Sequence, residues 1–104
     1  MADSDDYVID IELASNGDQL HVVPWVRSTR ATRLRYEVVS EKRGPAGQSR
    51  TAQSGNVNAD PDQSVRLSTL LLRVGPDDLY TITVRLFADH TLVAEKSVTF
   101  PDQI

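Results

Sequence analysis

Apolar and polar residues alternate one for one along most of this chain, and clusters of Gly, Pro, Asn and Asp interrupt the alternation roughly every 8–15 residues. A two-residue period puts one set of side chains on one face of a pleated strand and cannot line up one face of a helix. Tyr7, Ile9, Ile11 and Leu13 alternate with Asp10 and Glu12, which reads as a half-buried strand. Ser15-Asn16-Gly17-Asp18 follows as a turn, because Asn-Gly supplies the positive φ that tight hairpins need. Gln19 to Val26 returns as a second strand with Leu20, Val22 and Val26 in phase. Pro24 has no amide donor, so it is expected to mark an edge or a bulge there.

The third strand, Thr32 to Lys42, sets Leu34, Tyr36 and Val38 against Arg33, Arg35, Glu37 and Glu41. Arg43 to Gln48 reads as a loop. Gln48 to Asn58 is polar and weakly patterned, which fits a short edge strand or a mobile connection. Gln63 to Val74 is ambiguous: Leu67, Leu70, Leu71 and Val74 have helical spacing, while Val65, Leu67, Thr69 and Leu71 alternate. Its neighbours favour strand. Leu79 to Ala88 puts Tyr80, Ile82, Val84 and Leu86 on one face, and Ala88-Asp89-His90-Thr91 turns into a last strand, Leu92 to Phe100. About seven short strands with regular turn signals predict an all-β, antiparallel sandwich. Tyr80 opens its strand just after Pro76-Asp77-Asp78, where immunoglobulin-like domains place a corner tyrosine. Residues 1–6 are expected to form a flexible tail, and residues 7–104 a single domain of this type.

Composition narrows the chemistry. At 104 residues the chain is the size of one domain, and Val, Ile and Thr together number 24. With no cysteine there can be no disulfide, thiol catalysis or cysteine metal site. His21 and His90 are the only histidines; without further ligands they read as exposed strand and turn residues. His21, Asp18 and Ser15 lack any accompanying nucleophile elbow or oxyanion-hole signature. The expectation is therefore a non-enzyme with no cofactor and no metal.

Charge is uneven. The net charge is −4, yet residues 27–50 carry Arg27, Arg30, Arg33, Arg35, Lys42, Arg43 and Arg50 against only Glu37 and Glu41. Arg33 and Arg35 lie two apart on one strand and so share a face. Such a patch either keeps an edge soluble or attracts an acidic partner by steering and bidentate contact. Trp25, close by in sequence, is either a sandwich tryptophan or an aromatic contact beside the arginines. Little aromatic interleaving and an acidic total argue against nucleic acid. No apolar run is long enough to span a bilayer.

From Val22-Val23-Pro24-Trp25-Val26, through the strand ending at Arg35, Gly47-Gln48-Ser49 with Thr51, and Pro76-Asp77-Asp78, the features resemble in order the curli assembly proteins of the CsgC/CsgH-like family, nearer the CsgH branch. The resemblance covers about residues 7–101. It implies an immunoglobulin-like sandwich in the bacterial periplasm, its signal peptide removed. It also implies a monomeric chaperone that stops the curli major subunit from nucleating amyloid. The implied client-binding residues are Arg33 and Arg35, with Arg27 and Arg30 flanking and Trp25 beside them. Some family members carry a Cys-X-Cys pair on this strand. Thr32 and Leu34 stand there instead, which leaves binding and removes redox chemistry.

Overall fold

The computed structural model describes residues 6–101. Strands β1 (Tyr7–Asn16), β2 (Gln19–Ser28), β3 (Thr32–Gly44), β4 (Gly47–Ala59), β5 (Ser64–Arg66), β6 (Leu70–Arg73), β7 (Leu79–Ala88) and β8 (Thr91–Phe100) form two antiparallel sheets. Sheet A holds β1, β2 and, along the other side of β2, both β5 and β6; sheet B runs β4-β3-β7-β8. Counting β5 and β6 as halves of one interrupted strand gives the seven-strand immunoglobulin-like sandwich. Residues 1–5 of the expected tail lie outside the described residues. Asp6 is bonded to the body: its carbonyl accepts the Thr29 N–H at 3.1 Å.

The core lies between the sheets and is built from the alternating apolar sets. Ile9, Leu20, Val22, Val26, Leu34, Val38, Leu70, Ile82, Val84 and Leu86 are buried against one another. Gly17, at φ +65°, makes the tight turn from β1 to β2. Asp89 and His90 form the two-residue turn between β7 and β8, both at positive φ (50° and 68°). That left-handed pair is the geometry of a type I′ turn, and Asp and His are among the non-glycine residues that tolerate it best.

Three local expectations are corrected. Pro24 marks neither an edge nor a bulge in its own strand: β2 is central, and Pro24 is fully buried. Its carbonyl accepts the Leu67 N–H at 2.9 Å, so the donorless nitrogen faces the same neighbour. The ladder on that side is lost there, and the neighbour breaks into β5 and β6 opposite it. The second correction follows from the first. The inward set on this neighbour runs Val65 and Leu67 before the break, then Leu70 and Leu72 after it, which leaves Leu71 outward and 58% exposed. Third, the polar stretch after Gly47 is neither short nor a connection. It is the 13-residue strand β4, paired with β3 along its whole length.

Candidate functional site

The outer face of sheet B is made by the residues that alternate with the buried ones. On β3 these are Arg33, Arg35, Glu37, Val39 and Glu41, and on β4 their partners Asn58, Asn56, Ser54, Ala52 and Arg50. On β7, Phe87 stands opposite Arg35 and Arg85 opposite Glu37. At the end where β3 begins, Arg33, Arg35, Asn56, Phe87, Asp89 and His90 line a cavity of about 410 Å³. The Arg35 guanidinium lies over the Phe87 ring, 5.2 Å from its centre, and bonds Glu37 at 2.9 Å. A cation held over an aromatic face keeps its plane fixed, and Glu37 already occupies part of the edge of this one. Further along the face Arg85 pairs with Glu95; that hydrogen bond, and then the charge of Glu95, hold the arginine above its ordinary pKa. Among the described residues Arg33 has no ion-pair partner. The face is therefore neutralised in its middle, and at the cavity Arg33 is left unpaired, with the Asp89 carboxylate also in the lining.

The five residues singled out in the sequence do not form one surface. Arg33 and Arg35 share the cavity. Arg30 lies in the β2–β3 connection, 3.2 Å from the Asp6 carboxylate. Trp25 and Arg27 alternate with the buried residues of β2, so they lie on the outer face of sheet A, on the opposite side of the sandwich. Trp25 stands between Asp10 and Arg66, in a second cavity of about 430 Å³ that also takes in Glu12, Ser64 and Lys96. Its indole N–H is buried without a hydrogen-bond partner. Closeness in sequence did not become closeness in space, because the chain crosses from one sheet to the other between Ser28 and Thr32.

Sequence reasoning missed Phe87, His90 and Asn56. Phe87 was detectable: with Tyr80, Ile82, Val84 and Leu86 facing inward, it must face out. Asn56 and His90 required the pairing of β4 with β3 and the shape of the β7–β8 turn.

Residues 4–98 match the family model described as thin aggregative fimbriae synthesis protein. The chain belongs to the CsgC family of curli assembly proteins. It is 30% identical to the curli assembly protein CsgC of Escherichia coli K12 over 84 residues, 81% of this chain and 76% of that protein. The CsgC of Escherichia coli O1:K1 matches to the same extent. The structure of E. coli CsgC aligns with a TM-score of 0.75 at 26% identity, covering 91% of this chain and 98% of that one. The solution structure of R. palustris CsgH aligns at 0.71 and 20% identity, over 88% and 90%. CsgC and CsgH thus both share this fold, and the similarity does not single out CsgH. A role in curli assembly follows from the membership.

Proposed function

We propose that this protein is a periplasmic chaperone that binds the curli major subunit and restrains its nucleation into amyloid, using the Arg33–Arg35 end of sheet B. Membership of a curli assembly family supports the setting. The observation that carries the mechanism is the arginine-lined cavity: Arg33 and Arg35 on one face, with Phe87 under Arg35 and Asn56, His90 and Asp89 beside them. Arginine forks bind carboxylates in a plane, and an aromatic floor gives an approaching side chain something to pack on. Weak contact is enough, because an amyloid nucleus is rare and each interception spares much later growth. This reading uses no catalytic group and no cofactor, and neither nucleic acid nor membrane.

The test follows fibril growth of a purified curli major subunit by dye fluorescence, with this protein well below equimolar amounts. A lengthened lag that disappears in the Arg33→Glu/Arg35→Glu variant, with its circular dichroism and melting unchanged, is the expected result. A wild-type protein that leaves the lag unaltered, or a variant as potent as wild type, overturns the reading. It would leave an accessory sandwich whose arginines only keep it soluble.

A further inference from the structure

β4 is the outermost strand of sheet B and pairs with β3 residue for residue from Gly47 to Ala59. At about 3.4 Å per residue its 13 residues reach about 44 Å, which matches the 43 Å length of the molecule. A strand at a sheet margin turns half of its amide and carbonyl groups away from its partner. Folded proteins ordinarily blunt such margins by charge, proline, a bulge or shortness.

The other margins of this sandwich are blunted in those ways. β1 carries Asp10 and Glu12 and lies against β8. β5 and β6 are three and four residues long. β8 carries Glu95 and Lys96, and its pairing with β7 slips between Leu86 and Phe87. β4 is the least protected of them, although it touches β2 and β5 of the other sheet. It contains no proline, its pairing shows no slip, and Arg50 is its single charged residue. Most of its side chains are small and polar, so a second strand could approach closely. The Ser68 hydroxyl, in the break between β5 and β6, donates to the Gln53 side-chain oxygen at 2.6 Å.

The flank of this margin carries three arginines against two carboxylates, Glu37 paired with Arg35 and Glu41 opposite Arg50. Arg50 lies on its outer face, and Arg33 and Arg35 stand one strand inward, opposite Asn58 and Asn56. We infer that β4 receives an extended, acidic, polar segment of the client as a fifth strand of sheet B. Main-chain hydrogen bonds supply the hold, and carboxylates on the outer face reach the arginines. A second copy of this chain fits less well, because pairing β4 with β4 adds a second set of arginines to the same face. The inference rests on the chaperone reading above and states how the client is held.

The probe is a synthetic peptide of Asp and Glu interspersed with Ser, Thr and Asn, free of Lys and Arg. It is titrated into the ¹⁵N-labelled protein. Shift changes and slowed amide exchange along residues 48–58 are expected. Proline is then placed singly at Thr51, Ala52, Gln53 and Ser54. Neighbouring amides point alternately at β3 and at the open margin, so alternate variants keep the ladder and the wild-type melting temperature. Those folded variants should bind the peptide about tenfold more weakly, or about 1.4 kcal/mol, and lose inhibition of fibril growth. Folded proline variants that bind and inhibit like wild type overturn strand addition, and leave the Arg33–Arg35 reading intact if its own variant still fails. Amide protection at β4 that grows with protein concentration and without peptide overturns the choice of occupant in favour of a second copy. Failure of the chaperone reading shows separately, as a wild-type protein that does not delay fibrils, and the peptide titration then decides strand addition by itself.

Discussion

The Tyr80 hydroxyl donates to the Arg73 carbonyl oxygen at 2.8 Å, joining the first residues of β7 in one sheet to the end of β6 in the other. This is the corner tyrosine of immunoglobulin-like domains, buried to all but 7% of its surface. Tyr80→Phe keeps the ring and leaves a half-buried carbonyl unpaired. It should cost about 1 kcal/mol, seen as a fall in melting temperature of about 4–8 °C. An unchanged melting temperature would show that the bond adds nothing to the fold.

The same corner holds a second device. The Asp78 N–H donates to the Gly75 carbonyl at 3.2 Å, Pro76 takes the first central position, and Asp77 takes φ +66° at the second, as in a type II turn. The Asp78 carboxylate accepts the Gly75 N–H at 2.7 Å and meets Lys42 at 3.3 Å. A methyl group on Gly44 would collide with that carboxylate. Asp77→Gly should therefore raise stability by about 0.5 kcal/mol, and Gly44→Ala should lower it by about 1–3 kcal/mol, both read by urea denaturation. A stable Gly44→Ala protein would mean that Asp78 can swing away without loss.

Placement on opposite sides of the sandwich separates the arginines functionally. Arg33→Glu is expected to shorten the client's lag phase back toward that of the client alone. Arg27→Glu, an equal change of charge on the outer face of sheet A, should leave inhibition close to wild type. Equal loss from both would show that net charge, and not the cavity, governs the effect.

Inhibition should also weaken with salt, because exposed charges are screened within about 8 Å at physiological ionic strength. Fibril lag times measured between about 0.05 and 0.5 M salt, each against client alone, provide the check. Potency that stays constant across that range would exclude steering by Arg33 and Arg35.

The strands with a hydrophobic side were legible because burial on one face imposes the two-residue period: β1, β3 and β7 show their inward residues directly. The segment after Gln63 was not, for a reason that lies elsewhere in the chain. The break opposite Pro24 moves the inward residues from odd to even positions, and the spacing from Leu67 to Leu70 then imitates a helical turn. β4 was illegible because its stability comes from the ladder with β3; most of its side chains are exposed and leave no apolar period to read. The site was half legible. Arg33 and Arg35 declare a shared face by their spacing. Trp25 and Arg27 do not declare that theirs is a different one.

The slip at Leu86/Phe87 has a consequence for anything that grows by adding strands. Sheet B has an unslipped margin at β4, the one inferred above to receive a strand, and an interrupted one at β8. In the language of polymer chemistry such a unit is monofunctional. A growing stack that takes it up through β4 next encounters β8, where the spacing of free amides is broken and Glu95 and Lys96 stand in the way. On the strand-addition inference, growth is expected to end at that unit, and one such unit per growing end to be sufficient.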